Sequence, residues 1–98
     1  MLYAVLFEDD PRHADKRAAH MAGHLAFLAA NAGRILAAGP LTDAGTDAPA
    51  GGLWLVEADD AGADQALIEA DPFWPTGLRK TVRILHWRQV FADGRRLG

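Results

Sequence analysis

The sequence predicts a ferredoxin-like α+β fold, a four-stranded antiparallel sheet with two helices on one of its faces. Apolar segments with strand and helix periods follow one another in the order strand, helix, strand, strand, helix, strand. The 98 residues have the length of one domain, and no repeat or linker divides them. Two split β-α-β units with right-handed crossovers combine these six elements into one sheet, with the first and third strands central and parallel. We expect one domain over residues 1–91 and a frayed C-terminal tail over 92–98.

The first strand and the longer helix occupy the N-terminal third of the chain. Leu2–Phe7 is an apolar run with tyrosine, valine and phenylalanine, and the acidic residues and proline that follow end the strand. The helix begins near His13 or Ala14 and ends at Gly33, where glycine suits a C-terminal cap. We expect an apolar stripe of this helix to face the sheet. The stripe consists of Ala18, Met21, Ala22, Leu25, Leu28, Ala29 and Ala32.

A hairpin follows this helix. Arg34–Ala38 is the second strand, and Gly39-Pro40 stops it. Thr42–Gly52 is rich in aspartate, alanine, glycine and proline, which indicates the connecting loop. Leu53–Ala58 is then the third strand.

The second helix and the last strand complete the sheet. Asp59 or Asp60 caps a helix that runs to about Ala70. Two prolines make Asp71–Gly77 an irregular turn, and Thr81–Val90 is the fourth strand. The expected buried side of the helix consists of Ala63, Ala66, Leu67 and Ala70.

Both faces of the predicted sheet are apolar. A half-exposed antiparallel strand alternates apolar and polar side chains, whereas Leu2–Phe7 and Leu53–Val56 carry apolar side chains in both directions. Two helices cover only one face, and a second copy of the same sheet would cover the other. We therefore predict a homodimer packed sheet to sheet, the alternative being a monomer with a large exposed apolar face.

Composition excludes several classes of protein. The net charge of −3 argues against a nucleic-acid-binding protein. Cysteine and serine are both absent, which excludes disulfides, thiol and serine nucleophiles and zinc-thiolate sites. No apolar run approaches the roughly 20 residues of a membrane span, and the N-terminus lacks the basic segment of a signal peptide. We therefore expect a cytoplasmic protein. No glycine-rich phosphate-binding loop occurs, and we expect no cofactor.

His24 is the first candidate for chemistry. It lies with Arg17 on the border of the apolar stripe, where one ring nitrogen can face the interior and the other a cleft. If both helices end at the same edge of the sheet, Asp71 approaches His24 and can orient its imidazole for general acid or base catalysis. The alternatives are a histidine that only hydrogen-bonds a neighbouring carbonyl and an aspartate that only shapes a turn.

His20 lies one helical turn before His24, slightly further towards solvent. This spacing also suits two metal ligands, with Asp71 or His86 as a third, but we assign no metal site. Arg17 can attract an anionic group of a small-molecule ligand. The predicted substrate-binding residues around His24 are Arg17, His20, Gly39, Pro40, Phe73 and Trp87, the last two as walls of an apolar pocket.

Five segments, MLYAVLFEDDP, AGHLAFL, GRILAAGPL, EADPFWPTGL and HWRQVF, resemble the YciI-like (YCII-related) family over Met1–Phe91. The resemblance implies a ferredoxin-like fold that dimerises through its sheets. It also implies an active site that pairs the histidine of the HL motif, His24, with the aspartate of the DPF motif, Asp71. The Gly39-Pro40 turn matches the AGP element of the family, which is expected to border the pocket.

The resemblance also bears on the reaction. A relative in chloroaromatic degradation is similar to a dehydrochlorinase, whose chemistry needs a general acid/base and no redox cofactor. We therefore expect a lyase or isomerase that acts on a small cyclic or aromatic molecule. Gly51-Gly52 stands where many relatives have a Gly-Ser pair, so any contact made by that serine is absent here. The alternatives are a non-catalytic metabolite-binding or accessory protein and a structural partner of a larger enzyme.

Overall fold

A computed structural model of the chain describes residues 1–98 and confirms the predicted fold class. The four main strands form one antiparallel sheet in the order β2-β3-β1-β4, and the two helices pack on one of its faces. Neither helix is long and apolar enough to cross a membrane. The elements are β1 Leu2–Asp9, α1 Asp15–Ala30, β2 Ile35–Thr42, β3 Pro49–Glu57, α2 Ala61–Ala70 and β4 Arg79–His86, with 3-10 turns at Pro11–His13 and Trp74–Thr76.

The central strands β1 and β3 are antiparallel, so the prediction that they are parallel is wrong. Leu2 pairs with Glu57 at one end and Phe7 with Gly52 at the other. In a split β-α-β unit the helical crossover makes β1 and β2 parallel, with one strand between them. The inserted strand is β3. It runs antiparallel to β2 because the two form a hairpin, and it is therefore also antiparallel to β1.

The two helices consequently run in opposite directions. At one end of the sheet the backbone amide of Glu57 donates to the Arg34 carbonyl, and at the other the amide of Asp10 donates to the Leu78 carbonyl. The helix α1 leads from the Asp10 end to the Arg34 end, and α2 leads back. Their C-terminal ends therefore lie at opposite ends of the sheet, not at the same edge as expected. The C-terminal end of α2 instead lies beside the middle of α1.

The hairpin between β2 and β3 is longer and its loop shorter than predicted. The predicted loop Thr42–Gly52 contracts to residues 43–48, because the Asp43 carboxylate accepts backbone hydrogen bonds within the turn. Gly51 belongs to β3 and has a φ of 94°. A Cβ at Gly51 would lie 1.8 Å from the Phe7 carbonyl oxygen, so only glycine lets these strands approach.

The core lies between the sheet and the helices. Val5, Trp54, Val56 and Ile68 are almost completely enclosed there. The opposite face of the sheet has no covering element. Its cross-strand neighbours are also mostly apolar and include Ala4, Leu6, Leu53, Leu55 and Leu85.

The helices bury different residues from those predicted. His24 is the only buried residue of α1, whereas Leu25 is 56% exposed. The buried side of α1 is rotated relative to the predicted alanine-rich stripe, because Phe27 packs against the ring of Trp54. Leu67 of α2 is buried as predicted. Asp64 and Ile68 are buried beside it, whereas the three expected alanines are exposed.

The C-terminal residues, expected to fray, form a two-stranded hairpin. Strand β4 ends at His86, four residues earlier than predicted, and Phe91–Ala92 then pairs with Arg95–Arg96. Asp93 and Gly94 both have positive φ angles at the turn. An aspartate-glycine pair readily adopts this two-residue hairpin turn.

Asp64 is the one buried carboxylate without a hydrogen bond. Its exposed fraction is 0%, and neither side-chain oxygen has a partner. The loss of hydration disfavours the charged form and raises the pKa of Asp64 to about 6. The folded state therefore holds a proton that the unfolded state releases at lower pH.

We expect Asp64→Asn to raise the free energy of unfolding by about 2 kcal/mol at pH 8. The unfolded chain ionises near the ordinary pKa of 3.8 and the folded chain near 6. The stability of the unaltered chain therefore falls as pH rises from about 4 to about 6 and stays low above it, whereas the variant lacks this loss. Urea unfolding across this range, with the exposed Asp59→Asn as control, measures the difference. Parallel pH profiles for the unaltered chain and Asp64→Asn would contradict it.

Candidate functional site

A cavity of about 110 Å³ lies between α1 and the β2–β3 hairpin. Its size approaches the roughly 150 Å³ of a protein cavity that binds benzene, so it suits a single small ring or its substituent. Polar and apolar side chains both line it. They include Arg17, Met21, His24, Leu25, Leu28, Trp54 and Arg79, together with Ala38, Gly39, Pro40 and Gly52 of the hairpin.

His24 and Asp71 form a buried pair. The Nδ1 atom of His24 lies 2.9 Å from both carboxylate oxygens, and the two residues are 6% and 3% exposed. A carboxylate only accepts hydrogen bonds, so Nδ1 carries the hydrogen and donates it. The Nε2 atom of His24 has no hydrogen bond within the chain, and the side chain lines the cavity. Nε2 is therefore the nitrogen available to a ligand.

The Asp71 carboxylate is positioned by the residues that follow it. Asp71 ends α2 in an extended conformation, which the following Pro72 favours. Its Oδ1 atom also accepts the backbone amide of Phe73 at 3.1 Å. The ring of Phe73 stacks on the imidazole of His24, with centroids 4.0 Å apart and planes 12° apart. The pair is thus fixed by a hydrogen bond on one side and an aromatic ring on the other.

This pair forms for a different reason from the one the sequence indicated. His24 was expected near Asp71 because both helices were expected to end at one edge of the sheet. In the structure α2 ends beside the middle of α1, and a Cβ at Gly23 would lie 3.6 Å from the side chain of Pro72. The Asp71-Pro72 turn thus packs directly against α1 beside His24.

A second charged cluster borders the same cavity. The Asp9 carboxylate accepts a hydrogen bond from Arg17 and another from Nη1 of Arg79, the latter at 3.0 Å. Both guanidinium groups lie within 6 Å of the Phe73 ring centre. Burial lowers the pKa of the Arg79 guanidinium, and the Asp9 carboxylate opposes that shift. Arginine nevertheless stays protonated at neutral pH.

The structure brings together most of the predicted site residues. Arg17, Gly39 and Pro40 line the cavity with His24, and Phe73 contacts the His24 ring. His20 is exposed and lies outside the cavity lining.

Two other predicted residues lie elsewhere. Trp87 is 41% exposed, and its amide donates to the Leu2 carbonyl at the other end of the sheet, so it forms no wall of the cavity. His86 lies there too, 5.8 Å from Tyr3 between ring centres, and does not join His20 and His24. No group of three or more metal-ligating side chains occurs.

Sequence reasoning missed Arg79 and Trp54 as cavity residues. Trp54 occupies the role expected of Trp87, because its side chain points to the helix-covered face and reaches the cavity beside His24. A signal for Arg79 was present in the sequence. In this topology the end of β1 adjoins the start of β4, so the acidic Asp9 and the basic Arg79 are natural neighbours.

Comparisons with known proteins identify the family and agree with the fold. A model of the YCII-related domain family matches residues 1–88. The proteins named YciI of Escherichia coli O6:H1 and Shigella flexneri are each 31% identical to this chain. Each alignment extends over 98 residues and includes 93% of this chain and 100% of the relative. The solved structure of 5-chloro-2-hydroxyhydroquinone dehydrochlorinase, TftG, from Burkholderia phenoliruptrix AC1100 in complex with 2,5-dihydroxybenzoquinone is also similar. It has a TM-score of 0.78 and 28% identity, with 90% of this chain and 94% of that chain covered.

We expect Asp71→Asn to change the tautomer of His24 and to lower the free energy of unfolding by about 1–3 kcal/mol. In the unaltered chain the carboxylate holds the hydrogen on Nδ1, whereas an amide can also donate to Nδ1 and so permits the Nε2–H form. Long-range ¹H–¹⁵N spectra of the imidazoles in alkaline buffer distinguish the two forms. The exposed Asp59→Asn serves as control, and an Nε2–H imidazole in the unaltered chain would disprove the assignment.

Proposed function

This chain belongs to the YCII-related domain family, and we propose that it is a small acid–base enzyme acting on a cyclic or aromatic metabolite, as a lyase or isomerase. The observation that carries the proposal is the buried hydrogen bond between His24 and Asp71 at the wall of a cavity of about 110 Å³. The similarity to TftG, a dehydrochlorinase, supports this class of chemistry.

His24 is the proton-transfer group in this proposal. Its Nε2 atom accepts a proton from a C–H or O–H group of the substrate, and the electron pair of that bond forms a new π bond. In a lyase reaction the leaving group departs with the electrons of its own bond to carbon. In an isomerisation His24 returns the proton to another atom of the ring.

The neighbours of His24 support the charges that this step creates. The Asp71 carboxylate orients the imidazole and balances the imidazolium that forms after proton uptake. Arg17 can stabilise an oxyanion on the substrate. Gly39 and Pro40 border the cavity. The ring of Phe73 stacks on one face of the imidazole and limits its rotation. We assign no cofactor to this reaction, since its proposed steps transfer only a proton.

We further propose that the protein is a homodimer that packs through its sheets. The sheet face opposite the helices carries neighbouring apolar side chains, among them Ala4, Leu6, Leu53 and Leu55. A contiguous apolar surface of this kind is uncommon on a monomer. A second copy presents the same surface, as an interface with twofold symmetry requires.

We expect the protein to release chloride from 5-chloro-2-hydroxyhydroquinone, and His24→Gln to reduce that rate by about 10²–10⁴-fold, the usual contribution of an acid–base group. His20→Gln is the matched control, because it makes the same change one helical turn away on an exposed residue. The rate of chloride release is measured for each variant. The binding of 2,5-dihydroxybenzoquinone is measured separately, from the thermal shift that it causes.

The outcomes separate the two candidate functions. Quinone binding that depends on His24 without turnover would favour the metabolite-binding alternative. Equal turnover in His24→Gln and His20→Gln would refute the acid–base assignment. A ligand present at about 100 times its Kd stabilises the folded state by about 2.7 kcal/mol, which a thermal shift readily detects.

We expect Leu55→Lys to convert the dimer into a folded monomer, because it places a charge in the proposed interface. Ala66→Lys, on the exposed side of α2, is the control and should leave the dimer intact. Sedimentation equilibrium gives the mass, and circular dichroism checks the fold. A monomeric unaltered chain, or a dimer in Leu55→Lys, would rule out the sheet-to-sheet interface.

A further inference from the structure

Arg79 is a buried arginine in the wall of the His24 cavity. It is the first residue of β4 and pairs with Asp9 of β1 just beyond a register shift in the ladder. Its side chain is 4% exposed, although it carries a full positive charge. A guanidinium group is rarely buried without several hydrogen-bond acceptors, so its surroundings determine what it can do.

The chain provides only part of what this guanidinium needs. Nη1 of Arg79 donates to Asp9, but Nε is buried and has no acceptor. Asp9 also accepts from Arg17, so two cations share one carboxylate. Asp71 is engaged with His24 and Phe73. Asp9 is therefore the only carboxylate that hydrogen-bonds either guanidinium, and Nε of Arg79 is left without an acceptor.

Aromatic rings and a glycine place Arg79 against the cavity. Its guanidinium carbon lies 4.1 Å from the ring centre of Phe7 and 5.2 Å from that of Phe73. Gly52 lines the same cavity, and a Cβ there would lie 3.3 Å from Nη1 of Arg79. The guanidinium thus reaches the cavity floor at a position where the chain has no side chain.

We infer that Arg79 and Arg17 select an anionic ligand for the His24 cavity, a small ring that carries a carboxylate or another ionised oxygen, and that Arg79 is the specificity-determining residue. This inference rests on the proposed function, because the same cavity holds the proton-transfer histidine. The ionised oxygen of the ligand supplies a further acceptor to two guanidinium groups that share one carboxylate within the chain. A planar guanidinium is suited to bind such an oxygen with two N–H groups.

The test compares benzoate with benzamide, two rings of nearly equal size that differ in charge. We expect the unaltered protein to bind benzoate at least about tenfold more tightly by calorimetry, about 1.4 kcal/mol. Arg79→Met removes the charge and should bring the ratio of the two affinities close to one. Lys80→Met makes the equivalent change on the neighbouring exposed residue and should leave the ratio unchanged.

Two further variants separate recognition from folding. A purely structural role for Arg79 would weaken both ligands together and leave their ratio unchanged, which would overturn the inference. If Arg79→Met does not fold, Arg79→Lys replaces it, since lysine retains the charge but loses the planar fork and should lower the ratio severalfold. Gly52→Ala would place a methyl group 3.3 Å from Nη1 of Arg79 and displace the guanidinium. It should therefore also lower the ratio of benzoate to benzamide affinity.

The outcome for His24 is independent of the outcome for Arg79. Equal binding of benzoate and benzamide, or no binding of either, overturns the inference. If His24-dependent chloride release persists in that case, the proposed function still stands. A benzoate preference that depends on Arg79, in a protein whose turnover does not depend on His24, would establish the anion site and refute the proposed chemistry.

Discussion

The hydrogen bond between His24 and Asp71 holds the long helix to the end of the short one, and the site depends on it. His24 is the only buried residue of α1, so this pair is a main attachment of the helix along with the half-buried Phe27 and Leu28. Each group would be costly to bury without the other. The contact that stabilises the helix packing therefore also fixes the tautomer and orientation of the imidazole beside the cavity.

The fold was predictable because its signals are local. Apolar segments separated by glycine, proline and acidic residues identified six elements. The rules for β-α-β connections then left few ways to join them. The pair of His24 and Asp71 was also predicted, but by a faulty geometric argument combined with the family motif. With β1 and β3 taken as parallel, the helices appeared to end together. In fact α2 ends beside the middle of α1, where the turn after Asp71 packs against the helix next to His24.

The remaining errors arise where packing overrides local pattern. The helix α1 is so rich in alanine that its apolar stripe is broad, and the burial of Phe27 and His24 decides its rotation. Arg79 could have been placed from its register with Asp9, but its burial between two aromatic rings depends on Phe7 and Phe73, which are distant in sequence. The sequence alone does not distinguish Trp54 from Trp87 as a wall of the cavity. Trp54 reaches the cavity because its position in β3 directs its side chain to the helix-covered face.

Asp64 and Arg79 both have buried polar atoms without a hydrogen-bond partner, but the consequence differs because their surroundings differ. Asp64 is enclosed in the first turns of α2 and lines none of the larger cavities, so only a proton can relieve its charge. Arg79 cannot be neutralised in this way, because a guanidinium does not release its proton near neutral pH. It lies beside a cavity that a small anion can enter. The missing hydrogen bonds of Asp64 therefore affect stability as a function of pH, whereas the Nε of Arg79 that lacks an acceptor bears on which ligand the cavity accepts.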